Sequence, residues 1–310
     1  MIGEFRSILD LMKAFPTEQD CVNHLEKLRW SDGVVISPFD ETSKVYKCSH
    51  NRYKCKSTGK YFNVKVGTIF EDTKVPLIKW FMALYIFSSH KKGISSHQLA
   101  KDIDVTQKTA WFLLHRLRYA FDHPDFKKEL GGVVEIDETY MGGDEKNKHE
   151  SKKTAGTQGR STKTKKPVLG MLERNGRLIA QVVPDTKQAT LEPIIHDNLK
   201  CTAKVMTDEW RAYTKLHKTY DHEIVNHSAK QFVNGMAHTN GVENFWSHFK
   251  RGIDGIYHWC SVKHLQGYVN EYSYRYNTRG YSTSKRFNVV LENIEGRLTY
   301  KDLTFNEKYC

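Results

Sequence analysis

The stretch Val133-Val134-Glu135-Ile136-Asp137-Glu138-Thr139-Tyr140-Met141-Gly142-Gly143 constrains this chain more than any other. It opens apolar, alternates with the two-residue period of a strand, and carries an acid where a strand is most buried. Two glycines then break it, which sets the acid near a strand end beside pliable backbone. A strand rarely buries carboxylate charge without a partner, because desolvating an ion is costly. A divalent cation is one such partner. Alternation puts Glu135 and Asp137 on one face and Ile136 and Glu138 on the other, so Asp137 and Glu138 cannot both point into one site. Taken alone, the stretch reads first as a strand that runs out into an acidic turn, and only the rest of the chain can reverse that.

A chain of 310 residues allows two or three domains, and 39% hydrophobic with 27% charged residues excludes a disordered chain. The net charge of +12 favours a polyanionic partner, nucleic acid above all, a bias shared by ribosomal and membrane-surface proteins. Met1 to Lys13 does not read as a signal peptide. The longest apolar run, Leu77 to Phe87, is interrupted by Lys79 and too short to span a bilayer. The six cysteines form no paired framework, which suits a reducing cytosol. The expected location is therefore cytoplasmic, nucleoid-associated in a bacterium.

Residues 1–35 read as N-terminal helices, one starting at Thr17 as N-cap with acids in its first turn and running to about Trp30. Residues 36–75 form a small β-ribbon, with short alternating segments broken by Ser49-His50-Asn51 and Ser57-Thr58-Gly59. Cys48 and Cys55 lie in it. A closed zinc site needs four ligands, usually two Cys-x2-Cys pairs, and the upstream candidate Ser37-Pro38-Phe39-Asp40 has no cysteine. The ribbon is thus zinc-ribbon-like but degenerate, and no structural zinc is expected.

Residues 76–121 begin with a helix from Pro76 to about Ser89 that is apolar nearly all round. Ser95 or Ser96 then caps a short helix, Ile103-Asp104-Val105 makes a turn, and Thr106 caps a second helix through Arg118. Leu99, Ala100, Ile103, Val105 and Ala110 fall where a helix-turn-helix buries its inner faces. Gln107, Lys108 and Thr109 open the second helix, where side chains reach a major groove. An ordinary αα-hairpin is the alternative.

A charged linker, Asp122 to Gly132, precedes the organising strand. Residues 144–166 then form a basic insertion holding eight Lys or Arg, among them Lys163, Lys165 and Lys166. A solvated loop and a phosphate-gripping loop both fit it. Strands at Val168–Glu173 and Leu178–Val183 flank the hairpin signal Asn175-Gly176. A helix at Leu191–Leu199, a strand Ala203–Asp208, a helix from Trp210, a strand around Ile224 and a helix from about Thr239 follow. That order, β-β-β-α-β-α-β-α, is what a ribonuclease-H-like α/β domain with a mixed sheet needs. Residues 132–280 are assigned to it, and 281–310 to a C-terminal tail.

Asp208 is a second acid at a strand end, also readable as an N-cap. On the last helix Asn240 and Glu243 share a face with Lys250, while Val242, Phe245, Trp246 and Phe249 fill the core-facing side. Oxygen ligands and a phosphate-binding cation on one stripe suit phosphodiester chemistry. Three separated oxygen ligands suit Mg2+ or Mn2+, and a pair of such ions activates a hydroxyl nucleophile and stabilises the leaving oxygen.

With these residues in view, the chain resembles bacterial insertion-sequence transposases of the IS-fifteen-ninety-five kind, relatives of eukaryotic Merlin elements. The resemblance runs from about Tyr53 to Asn277. It is carried by Gly67-Thr68-Ile69-Phe70, Lys92-Gly93-Ile94-Ser95-Ser96, Gln107-Lys108-Thr109-Ala110-Trp111, Glu135-Ile136-Asp137-Glu138-Thr139-Tyr140, His238-Thr239-Asn240, Tyr257-His258-Trp259 and the stretch from Lys263 to Asn277.

The resemblance implies a ribonuclease-H-like catalytic domain behind a DNA-binding region, two divalent metals, cleavage of double-stranded DNA at element ends and strand transfer into a target. It also implies an oligomer assembled on that DNA. The family's acidic triad maps to Asp137, Asp208 and Asn240, with Lys250 as trailing cation. Relatives place glutamate at Glu243, so both residues are candidate metal ligands. Lys250, Arg251 and His258 join Lys163, Lys165 and Lys166 as candidate DNA contacts. Tyr257-His258-Trp259 reads first as a buried aromatic turn under the catalytic helix, and secondly as a phosphate contact through His258. A structure-specific nuclease on the same fold and a non-enzymatic DNA-binding derivative are the competing functions.

Overall fold

The computed structural model describes residues 4–122, 128–143, 149–154, 161, 163–225 and 238–305, with only the backbone of Lys152. The helices are α1 (Ile8–Ala14), α2 (Glu18–Arg29), α3 (Leu77–Ser89), α4 (Ser96–Asp102), α5 (Gln107–Ala120), α6 (Gln188–Asn198), α7 (Asn240–Gly252), α8 (Leu265–Asn277), α9 (Thr283–Leu291) and α10 (Tyr300–Thr304). The strands are β1 (Val45–Cys48), β2 (Arg52–Cys55), β3 (Tyr61–Phe62), β4 (Val133–Met141), β5 (Lys166–Glu173), β6 (Leu178–Val182), β7 (Lys204–Asp208) and β8 (Asp221–Val225). They divide into two compact units, one of residues 1–123 with 280–310 and one of residues 124–279.

In the first unit, α2 begins at a reciprocal cap: the Thr17 hydroxyl accepts the Asp20 N–H, and the Asp20 carboxylate accepts the Thr17 N–H at 3.0 Å. Helix α3 is almost wholly apolar and forms the centre of this core, with Trp80, Phe81, Leu84 and Phe87 buried. The segment after residue 280, expected as a tail, is instead part of this core. Phe287 of α9 lies edge-on to Phe5 at 5.1 Å and to Phe81 at 5.3 Å between ring centroids. Phe287, Val290 and Leu291 recur at the spacing of one helical face, and that face completes the apolar surround of α3.

Strands β1, β2 and β3 form an antiparallel ribbon with Tyr46 opposite Lys54 and Tyr53 opposite Phe62. Around Cys55, which is buried, hydroxyls and a carboxylate make the cross-links. The Ser57 hydroxyl donates to Asp40 at 2.6 Å and stands 3.4 Å from the Cys55 sulfur. Helices α4 and α5 start where their caps predict: Ser95 accepts from the Gln98 N–H and Thr106 from the Thr109 N–H. Leu99, Ala100, Ile103 and Ala110 are buried between them, and Asp104 turns the chain at φ +51°.

The second unit is built on a five-stranded sheet of order β6-β5-β4-β7-β8. Strands β6, β5 and β4 pair antiparallel; β4, β7 and β8 pair parallel. The β5–β6 hairpin turns at Asn175, whose φ of +57° is the conformation asparagine tolerates best after glycine. One face of the sheet carries Val134, Ile136, Leu169 and Met171 against α6 residues Leu191 and Ile195. The other carries Val168 and Leu172 against α7 and α8 through Val242, Phe245, Phe249 and Val269. The helix expected from Trp210 is replaced by two 3-10 turns, Arg211–Tyr213 and Leu216–Lys218. The Thr214 hydroxyl donates to the Arg211 carbonyl at 2.7 Å, one of the local side-chain bonds that compete with a continuous helix. No helix among the described residues is long and apolar enough to cross a membrane.

Candidate active site

Strands β4 and β7 run parallel with Ile136 in register with Thr207. Asp137 and Asp208, one residue further on, therefore come side by side at adjacent strands and face the same way. That face is the α7 face, because Asp137 lies opposite Gly170 in the β4–β5 ladder and Gly170 is covered by Trp246 of α7. Asp208 is 8% exposed, and its carboxylate accepts the Trp210 N–H at 3.0 Å. That bond is local to the loop after β7 and caps no helix, because the 3-10 turn that follows starts at Trp210 without a side-chain cap.

Glu138 points to the other face, as alternation requires. It accepts the hydroxyl of Tyr213 at 2.6 Å. Burial raises the Tyr213 pKa well above its ordinary value, and the negative charges of Glu138, Asp137 and Asp208 add to the rise. Tyr213 thus stays protonated and donates to Glu138.

Glu135, two residues before Asp137 on the same face, is 1% exposed and held from three directions. Arg174 Nε donates to it at 2.7 Å. The backbone N–H groups of Gly241 and Val242 donate to its second oxygen at 2.7 and 3.1 Å. His238 Nδ1 lies 3.2 Å from the carboxylate, within ion-pair reach when the imidazole is charged. Arg174 also donates to the His238 carbonyl at 2.9 Å. Helix α7 has no side-chain cap from Thr239, so Glu135 takes over the first-turn N–H groups and adds charge where the helix dipole favours it. In the sequence Glu135 shares the Asp137 face and opens the motif Glu135–Tyr140 without a role of its own; its signal is an acid at the buried centre of a strand.

Glu135 thereby fixes the start of the helix that carries Asn240, Glu243 and Lys250. All three are exposed on one stripe, opposite buried Val242, Phe245, Trp246 and Phe249. The Glu243 carboxylate accepts the Thr239 hydroxyl at 2.8 Å. Among the described residues, no three Asp, Glu, His or Cys side chains group closely enough to hold a metal ion. The strand ends carry the carboxylates Asp137 and Asp208, and Asn240, the first residue of α7, is the neutral candidate from the His238-Thr239-Asn240 motif.

Of the candidate DNA contacts, Lys165, Lys250 and His258 line one pocket beside the end of β4. Lys166 is half-buried as the first residue of β5, opposite Met141. Lys163 is exposed, and so is Arg251, whose guanidinium donates to the Ser247 hydroxyl at 2.8 Å. Most of the remaining basic insertion, including Lys146, Lys148 and Arg160, lies outside the described residues. In the first unit Gln107 and Lys108 are exposed; Gln107 donates to the Ser96 hydroxyl at 2.8 Å, and Lys108 sits 4.8 Å from the Tyr300 ring centroid. The Thr109 hydroxyl is 2.8 Å from that of Thr106. The aromatic turn Tyr257-His258-Trp259 is buried only in part: Tyr257 packs against the α7–α8 core, whereas Trp259 is 69% exposed.

Comparison with known proteins bears on the family of the chain. Residues 129–277 match the model of the ISXO2-like transposase domain. A protein described as an uncharacterized protein in transposable element ISH50, from Halobacterium salinarum, is 32% identical over 256 residues, covering 78% of this chain and 85% of its own. An uncharacterized transposase-like protein of Haemophilus influenzae is 30% identical over 118 residues, covering 38% of this chain and 93% of its own. Among solved structures, a pre-cleavage Mos1 transpososome matches with 10% identity, 95% coverage of this chain and 98% of that one, at a TM-score of 0.26, too slight a likeness to bear on the fold. Identity and coverage at the level of the Halobacterium relative place the chain in a family: it belongs to the insertion-sequence transposases of the IS1595 type.

Proposed function

We propose that this chain is an active DNA transposase, which cleaves DNA at the ends of its element and joins the 3′-hydroxyl ends to target DNA. The observation that carries the reading is the pair Asp137 and Asp208, brought to adjacent ends of parallel strands on the face of α7. The five-stranded sheet, with three antiparallel strands and two added in parallel, supports a ribonuclease-H-like catalytic unit. The α4–α5 pair, capped as a helix-turn-helix, offers Gln107, Lys108 and Thr109 to a major groove of the element ends. Assembly as a homo-oligomer on DNA belongs to the same reading.

The two carboxylates fit divalent cations such as Mg2+ or Mn2+, hard ions that take oxygen ligands. Asp137 and Asp208 would hold them, with Asn240 completing the set; bound there, a pair of ions supplies charge to an attacking hydroxyl and a leaving oxygen. The chain's own parts are positional. Glu135 and Arg174 hold the start of α7, and Lys250 extends a cation toward the DNA backbone two turns further on.

The test is cleavage of the element's flanking DNA by purified protein in Mg2+. Asp137→Asn or Asp208→Asn should abolish cleavage and leave DNA binding largely intact. Near-normal cleavage by either variant removes that residue from the mechanism, and a wild-type protein that binds the ends but never cuts them makes the chain a DNA-binding derivative instead.

A further inference from the structure

A π-helical turn, Ile253–Tyr257, follows α7 and ends in a sharp reversal. The Trp259 N–H donates to the Tyr257 carbonyl at 2.6 Å, and His258 between them has φ +59° and ψ −34°. This is a γ-turn of the rare positive-φ kind, which strains an L-residue. The strain is held by what lies before it. The Tyr257 hydroxyl donates at 2.6 Å to Glu271, which is fully buried and paired with Arg275 at 2.8 Å. Tyr257 also lies edge-on to Tyr268 at 4.8 Å.

The reversal decides where Trp259 goes. Anchored Tyr257 stays with the core, and two residues later the indole stands 69% exposed. A single exposed aromatic is ordinary on a protein surface. Here it borders a pocket of about 460 Å³, within the roughly 300–1,000 Å³ of small-molecule sites. Lys165, Lys250 and His258 line that pocket with Gly142 and Gly143, and Asp254 is the acid among them. A flat π surface beside cations, at the end of the strand that carries Asp137, is the chemistry that holds a base and its phosphates.

We propose that this pocket receives an unpaired nucleobase of the DNA strand, stacked on the Trp259 indole, with Lys165 and Lys250 on its flanking phosphates. The proposal rests on the transposase reading above and adds to it a binding site for one extruded nucleotide. The His258 turn is the device that presents the indole, and Gly143, with nothing within 4 Å of its Cβ position, leaves room beside the strand end, whereas Gly142 is packed against Thr164 and Lys165.

The probe is a short duplex with one bulged 2-aminopurine, compared with the same duplex fully paired, both bound by the full-length protein. Wild type should bind the bulged duplex more tightly and quench its 2-aminopurine fluorescence. Trp259→Ala should lose about 5- to 150-fold of affinity for the bulged duplex and restore the fluorescence, with binding to the paired duplex unchanged. Trp259→Phe should retain most of both effects. Equal binding of the two duplexes by wild type, or an equal loss on both in Trp259→Ala, overturns the proposal. Cleavage of element-end DNA in Mg2+ is read separately on the same preparations, so failure of the transposase reading shows there and failure of the base site shows in the bulge.

Discussion

The Glu135 carboxylate accepts the backbone N–H of Gly241 at 2.7 Å, tying the centre of β4 to the first turn of α7. The bond joins residues more than a hundred positions apart, and it does so where a side chain on Gly241 would collide: a Cβ there would lie 2.8 Å from both Glu135 and Leu172. Removing one partner of a buried ion pair strands the other charge. Glu135→Ala should therefore cost roughly 3–5 kcal/mol in chemical denaturation, and Glu135→Gln less, because the amide oxygen still accepts from the helix N–H groups. A Glu135→Ala protein as stable as wild type would show that α7 is held by its apolar face alone.

Gly170 stands opposite Asp137, and a Cβ on it would overlap the Trp246 ring. The indole cannot retreat, since it is buried among Phe245 and Phe249. Gly170→Ala should thus destabilise the second unit by about 1–3 kcal/mol through overpacking. Gly170→Ala combined with Trp246→Phe should recover part of that loss; no recovery would place the strain elsewhere.

In the proposed metal site, Asn240 and Glu243 are the two candidates for the third ligand. Glu243 is engaged by Thr239, and a neutral amide oxygen is a weaker ligand for a hard cation than a carboxylate. With Asn240 as the direct ligand, Asn240→Ala should raise the Mg2+ concentration needed for cleavage, Asn240→Asp should stay active, and Glu243→Gln should be milder than Asn240→Ala. A dead Glu243→Gln beside an active Asn240→Ala reverses the assignment.

The ribbon around Cys55 is cross-linked by Ser57 and Asp40, and should fold without zinc. Metal analysis of protein purified without added zinc should find no stoichiometric ion, and Cys55→Ser should keep the ribbon's thermal stability within a few degrees. Stoichiometric zinc that disappears in Cys55→Ser would overturn this.

His24 packs against Phe15 at 5.1 Å, and its buried Nε2 has no hydrogen-bond partner among the described residues. Burial, with Lys27 adding to it, pushes its pKa down to about 4, against about 6.5 in an unfolded chain. Between those values the unfolded chain binds a proton that the folded one does not. The neutral imidazole's contribution to stability is thus present above about pH 6.5 and lost as pH falls toward 4. Melting temperature should drop more between about pH 7.5 and about pH 5 in wild type than in His24→Phe. Parallel curves for the two proteins would remove His24 as the cause.

Local chemistry alone specifies much of this chain. Thr17, Ser95 and Thr106 start helices because a hydroxyl at an N-cap satisfies a nearby first-turn N–H, a bond made within a few residues. The two-residue period of β4 separates Asp137 from Glu138, and the helical period of α7 puts Asn240, Glu243 and Lys250 on the face opposite Trp246. What depends on residues distant in sequence was not legible. Glu135 as the cap of α7, Tyr213 as the donor to Glu138, α9 completing the apolar surround of α3 and the outward turn at Trp259 each need a partner that no periodicity names. A pattern tells which face a side chain occupies; only the packed structure decides what meets it there, because burial and ion pairing are set by neighbours in space.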